Sequence, residues 1–409
     1  MRLGRATLVD RRWRVGVTLS SHRIDHLQVS DQRSTKIAVA VVKSLPGGFN
    51  GGEGAAVASL GDLGLFRREF YECLSARADV LFELTDALLC TEGPVRSLVG
   101  LSLAPEHRRG HGALYDAVNH GRIELARLRV SLAALPLPRA ADGRLVLAVD
   151  VSPWLRPGRE YLSGALVLPY LWSWQGPASD GSGLAVLETG RTSWTAVLDA
   201  IRLQPGADVA AITVGQIREV VERLIAAGQW HDGDPEILVV LDAGYDAPRI
   251  AHLLGKLPVE ILGRMRSDRV LYRPTPERVP GTAGRPAKHG GEFVFGDPTT
   301  WGCEQAVTTT ATRLYGTATA QAWDRLHPRL TRRAAWADHA DPLPIIAGTV
   351  IRLRVDHLPS GGDPKPVWLW WSRVNASAAD IDRCWQAFLR RFDIECRVPR
   401  VRDHRFVTS

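Results

Sequence analysis

The chain has 409 residues, is 45% hydrophobic and 23% charged, and carries a formal net charge of +7. That length and balance fit a soluble globular protein of two or three domains with a sizeable core. No apolar run is long enough to span a bilayer, and the start Met1-Arg-Leu-Gly-Arg5 lacks the apolar core of a signal peptide, so a cytoplasmic protein with no membrane partner is expected. The positive charge invites a nucleic-acid reading but sits at the two ends. Residues 1–50 hold 9 Lys+Arg against 3 Asp+Glu and residues 381–409 hold 7 against 4, which leaves the body slightly acidic.

In chain order, residues 1–60 show no sustained periodicity and end in the linker-like Gly47-Gly-Phe-Asn-Gly-Gly-Glu-Gly54. From Asp62 the apolar spacing turns helical through Leu65, Phe66, Phe70 and Leu74, then Val80, Leu81, Leu84 and Leu88, until Gly93-Pro94 stops it. A second helical stretch is predicted from about Gly112 to Leu135. A strand follows over Leu145–Asp150, and Ser193–Ile201 and Val214–Ala227 read as helices. Ile237-Leu-Val-Val-Leu241 runs without a break into Asp242, which reads as a buried parallel strand delivering a carboxylate to its tip. Helix is expected again over Ala247–Leu254, with Asp246 as its N-cap, and strand over Val259–Arg266. The style then changes. Phe293–Phe295, Thr308–Trp323, Ile345–Val355 and Val367–Trp371 alternate and are rich in Thr, Val and Trp, the pattern of an antiparallel β insertion. A helical run from Asp380 to Glu395 closes the series.

Open α/β sheets place their chemistry at strand tips. Asp150 and Asp242 both end strands, and Glu395 lies on the last helix, which makes Asp150, Asp242 and Glu395 the candidate catalytic and metal-binding set. Carboxylates suit a hard cation such as Mg2+, and such sets cut phosphodiesters. Strand-end aspartates also cap turns and helices, so each one alone reads either way.

The Gly281–Gly291 loop, with Arg285 and Lys288, could enter a minor groove, although a plain hairpin connection is the preferred reading. Trp368-Leu-Trp-Trp371 could stack on bases or sugars, but a two-sided core strand is preferred. Glu106-His-Arg-Arg-Gly-His-Gly112 reads as a surface or DNA-backbone loop. His327 and His339 have no partner at ligand spacing, and Cys73, Cys90, Cys303, Cys384 and Cys396 show no CxxC pair, so neither zinc nor a disulfide framework is supported.

These segments together resemble a known family. Phe66-Arg-Arg-Glu-Phe-Tyr71, Leu101-Ser-Leu-Ala-Pro-Glu-His-Arg-Arg-Gly-His-Gly112, Ala148-Val-Asp-Val-Ser152, Leu241-Asp-Ala-Gly-Tyr-Asp246, Gly284-Arg-Pro286, Leu326-His-Pro-Arg-Leu330, Leu369-Trp-Trp371 and Arg390-Arg-Phe-Asp-Ile-Glu395 are similar, in this order, to the DDE transposases of actinobacterial insertion sequences. The resemblance covers roughly residues 60–155 and 186–395. It implies an RNase H-like mixed α/β sheet with flanking helices, a β insertion before the glutamate helix, and an N-terminal helical domain. It implies that Asp150, Asp242 and Glu395 hold Mg2+ (or Mn2+) for hydrolysis at transposon ends and transfer of the freed 3′-OH to target DNA. Phe388, Arg391 and Glu395 fit the family's Tyr/Phe-x-x-Arg-x-x-x-Glu signature. Double-stranded DNA is the expected partner, bound by a homodimer, with Arg108, Arg109, Arg285, Lys288 and Arg391 as candidate DNA contacts.

The expected division is 1–60 as a poorly ordered extension outside the family and 61–140 as a helical DNA-binding domain. Residues 141–268 form the RNase H-like core, 269–376 the β-rich insertion, and 377–409 the catalytic helix with a truncated tail. Two departures from the family stand out. Pro399 would break the catalytic helix one turn after Glu395, and 156–183 does not resemble the family's second and third strands. With only 5 Lys against 46 Arg, the composition suggests GC-rich DNA, in which shifted frames stay open. Residues 1–60, 156–183 and the tail are therefore read as out-of-frame or read-through translation of a decaying element, and the gene's other two frames should hold family-like sequence opposite 156–183 and downstream of 395. This leaves activity open. The alternatives are a host RNase H-like nuclease, a non-catalytic DNA-binding remnant, and a carbohydrate hydrolase with paired acids and Trp platforms.

Overall fold

The computed structural model describes residues 53–91, 97–155, 178–188, 195–203, 206–277, 287–337, 339–358 and 361–392. Most of the predicted 1–60 extension, Arg285, Glu395 and Pro399 lie outside them. Two compact units divide the chain, one drawn from Met1–Pro235 and the other from Glu236–Arg391. Both mix helix and strand. No described helix is long and apolar enough to cross a membrane.

The first unit opens with helices α1 (Glu53–Glu72) and α2 (Ala78–Cys90), with strand β1 (Leu74–Ala76) between them. Helix α1 starts before residue 60, inside the stretch that reads as linker. Three further helices follow: α3 (Leu98–Leu101), α4 (His111–His120) and α5 (Leu125–Ala133). The run predicted as one helix from Gly112 is thus two, split by the short strand β2 (Arg122–Ile123), which pairs with β1. The break falls at Gly121, where a Cβ would sit 2.3 Å from the carbonyl oxygen of Ala117 and 2.7 Å from Leu81 Cδ1. Only glycine lets α4 end this close to α2. Phe66, Phe70, Leu81, Leu84, Leu114, Leu128 and Leu132 form the apolar core under these helices.

The same unit holds an antiparallel sheet of β3 (Val146–Leu155), β4 (Ala178–Leu187) and β5 (Thr195–Arg202), followed by helix α6 (Val209–Ala226). Strand β5 corrects the helix expected at Ser193–Ile201. Its Ala196 and Leu198 are buried, β4 supplies its ladder partners, and Asp199 is tied down by two arginines. Tertiary pairing overrides a helical spacing that was only two turns long. On α6, Gln216 accepts a hydrogen bond from Ser182 Oγ at 2.8 Å and donates to the Ser182 carbonyl at 3.2 Å.

The second unit is built on a mixed sheet. Strands β6 (Ile237–Leu241) and β7 (Val259–Met265) are parallel and joined by helix α7 (Ala247–Leu253). All five residues of β6 are fully buried, as the unbroken apolar run requires. The small hairpin β8 (Val270–Tyr272) with β9 (Glu292–Val294) comes next. Then β10 (Ala306–Thr312), β11 (Gly316–Leu326), β12 (Gly348–Val355) and β13 (Val367–Trp371) pair antiparallel in succession, and β13 adds to β7. The predicted β insertion therefore extends the sheet of β6 and β7.

Trp368, Trp370 and Trp371 are all buried, the core-strand reading of this segment. Trp368 packs among Phe295, Trp301 and Trp323. With Trp323 buried too, these tryptophans offer no exposed sugar-stacking platform.

Candidate active site

Asp242 follows β6 directly, and its side chain is 33% exposed. The turn beyond it is fixed locally. The Tyr245 amide donates to the Asp242 carbonyl at 3.2 Å, and Asp246 caps α7 by accepting from the Arg249 amide at 3.2 Å, the N-cap role expected of it. The start of α7 lies close on β7, where a Cβ on Gly263 would come within 2.3 Å of Ala247 Cβ. Leu241 is in register with Gly263, so Arg264 comes beside Asp242. Its Nη1 is 3.7 Å from Asp242 Oδ1, and the Arg264 side chain is 43% exposed.

Helix α8 (Ala378–Arg390) brings a second arginine to the same carboxylate. A capping box between Ser377 and Asp380 starts this helix. Its Ile381, Cys384, Trp385 and Phe388 are buried, the stripe of an amphipathic helix. Polar contacts then fix its position on the sheet. Asp382 accepts from Thr308 Oγ1 at 2.6 Å and Thr310 Oγ1 at 2.9 Å, both on β10. Arg383 donates to the buried Glu260 at 3.2 Å, and Trp371 Nε1 donates to the same carboxylate at 3.0 Å. At the end of α8, Arg391 Nη2 stands 3.3 Å from Asp242 Oδ2 with its side chain 1% exposed.

The sequence-predicted residues are distributed as follows. Asp150 is half-buried and lies within β3, opposite Gly183 of β4, so it does not end its strand as expected. The ladder with β4 carries β3 on to Leu155. Glu395 is outside the described residues. Arg391, a candidate DNA contact, is buried and faces Asp242. Arg108 and Arg109 are exposed on a loop clasped to α2: the Arg108 amide and Arg109 Nε both donate to Glu83 at 3.3 Å. Lys288 is exposed, and its Nζ donates to the Leu343 carbonyl at 2.7 Å. Among the described residues, no three His, Cys, Asp or Glu side chains gather into a metal-holding group.

One observation at Asp242 bears on a divalent metal, the ion that nucleases of the superfamily generally use. Asp242 Oδ1 is buried and has no hydrogen-bond partner among the described residues, and a carboxylate oxygen in that state is a ligand for a hard cation. The flanking arginines were not legible as its partners from the sequence. The register of β6 against β7 could have suggested Arg264. Arg391 stands out in the sequence through its spacing to Phe388 and Glu395, but nothing there pairs it with Asp242.

A histidine pair was also missed. His289 Nδ1 and His327 Nε2 are 3.0 Å apart and must share a proton. Burial, with help from Lys288 and Arg329, pushes His289 below its ordinary 6.5, and burial, with His289 and Lys288 nearby, lowers His327 likewise. The pair is therefore neutral in the fold while free histidine charges below pH 6.5. Its stabilising contribution is full above that pH and is lost as pH falls from there through the lowered folded values. Thermal melting between pH 7 and pH 5 should show a steeper loss for the native chain than for His327→Gln; equal slopes would exclude this role.

A family model described as DDE superfamily endonuclease matches residues 69–329. The match spans Asp150 and Asp242 and ends before Arg391 and Glu395. No curated protein matches the chain. Among solved structures, the Argonaute of Kluyveromyces polysporus with a guide RNA is similar at 9% identity and a TM-score of 0.27, over 78% of this chain and 34% of that one. A likeness at that level carries no argument.

Proposed function

The chain belongs to the DDE superfamily endonucleases, and from that premise we propose that it is a DDE transposase of an insertion sequence, built on an RNase H-like core. Asp150, Asp242 and Glu395 are its metal ligands in this reading, Mg2+ or Mn2+ is its cofactor, and double-stranded DNA, as transposon ends and target, is its substrate. A homodimer on DNA and a cytoplasmic location belong to the same proposal.

The observation that supports it best is Asp242 itself. A fully buried strand inside the family-matched region delivers one carboxylate, with a buried oxygen left without a hydrogen bond and two arginines against it. Bound divalent ions supply activation of the attacking water and stabilisation of the leaving 3′ oxygen. The chain's own part is to hold the ligand oxygen in place through the Asp242–Asp246 turn and to present Arg264, nearly half exposed, where it can meet a phosphate.

Incubating the protein with a plasmid carrying the element's terminal repeats, in Mg2+, Mn2+ or EDTA, tests this. Metal-dependent cuts at the repeats are expected. Metal-dependent cuts indifferent to the repeats would favour a general RNase H-like nuclease, and repeat-specific binding without cutting would favour a DNA-binding remnant.

A further inference from the structure

We propose that Arg391 is a positioning residue that acts as the built-in counter-cation of Asp242 and sets how tightly the site takes a divalent ion. The proposal rests on Asp242 being a metal ligand. Its own basis is the contrast between the two arginines. Arg264 is 43% exposed and 3.7 Å away, so it can swing into water. Arg391 is 1% exposed and 3.3 Å from Oδ2.

The guanidinium also lies over the Phe388 ring, 5.8 Å from its centroid. Helix α8 is pinned to β10 through Asp382 and to β7 through Arg383 and Glu260, which leaves Arg391 little room to move. Without metal, Arg391 balances a carboxylate that would otherwise be costly to keep half-buried. When a divalent ion arrives, the same fixed positive charge opposes it across a few ångströms of protein. That repulsion is large enough to weaken ion binding by about tenfold or more.

The test measures Mn2+ affinity by the electron paramagnetic resonance of free Mn2+, and thermal melting with and without Mn2+. It uses full-length wild type, R391Q, R391K and D242A. The expected result for R391Q is Mn2+ binding about tenfold tighter, a lower metal-free melting temperature and a larger gain on adding Mn2+. R391K keeps the charge and should bind as wild type does. Arg391→Met keeps the stem against Phe388 and carries the same expectation should the Gln variant fail to fold. Unchanged or weaker Mn2+ binding in the neutral variants, with binding still lost in D242A, overturns this role for Arg391 and leaves the metal site standing. Wild-type binding by D242A overturns the site itself and this proposal with it.

Discussion

Asp242→Asn should abolish metal-dependent DNA cleavage, by roughly a thousandfold or more, while the chain stays folded. Asparagine keeps the shape of the side chain at the end of β6 but removes the charge that a hard cation needs. The informative control lies four residues on. Asp246 also sits near the strand tip, yet its Oδ1 is engaged in capping α7. Asparagine is as good an N-cap as aspartate, so Asp246→Asn should leave cleavage and melting temperature near wild type. Cleavage assays on both variants, with circular dichroism as the check on folding, separate a ligand from a cap. Equal activity in Asp242→Asn and wild type would remove Asp242 from the chemistry.

The largest stability effect is expected at Asp199. Its side chain is 1% exposed and receives Arg129 Nε from α5 at 2.7 Å and Arg223 Nη2 from α6 at 3.4 Å. One carboxylate thus joins two helices to β5. Arg129→Leu leaves the buried charge with Arg223 and with the Ala200 amide, which donates to Oδ1 at 2.8 Å, and should cost about 3 kcal/mol, at the low end for a broken buried ion pair because these partners remain. Adding Asp199→Asn to Arg129→Leu removes the stranded charge and should recover part of that loss. Denaturant unfolding of the two single variants and the double variant measures the coupling. Purely additive losses would show that the pair contributes nothing of its own.

How much of this was readable beforehand depends on where each residue's partners lie in the sequence. Strand β6 was legible because five consecutive apolar residues before an acid leave few other readings. The Asp246 cap was legible because Pro248 marks the first turn of a helix. The Trp368–Trp371 strand was legible as core from its apolar character on both faces. Strand β5 was not, since Val197, Ala200 and Ile201 have helical spacing and only β4, Arg129 and Arg223 make the segment a strand. Asp150 was misplaced at a tip for the same reason, because the ladder that carries β3 onward is supplied by β4. The Arg391–Asp242 and His289–His327 pairings join residues far apart in the chain, so although Arg391 itself stood out by its spacing to Phe388 and Glu395, neither pairing has a local pattern. The family resemblance drew on motif order, and the match over residues 69–329 supports it at the level of the superfamily.

The proposed function has Asp150, Asp242 and Glu395 hold one metal ion between them. Iron-directed backbone cleavage tests it most directly. Fe2+ is added in place of Mg2+, ascorbate and peroxide generate radicals at the bound ion, and the cut positions are read by mass spectrometry. Cuts clustered near residues 150, 242 and 395 are expected, all suppressed by excess Mg2+ and all lost together in Asp242→Ala. Cuts elsewhere, or cuts near these positions that persist in Asp242→Ala, would contradict it.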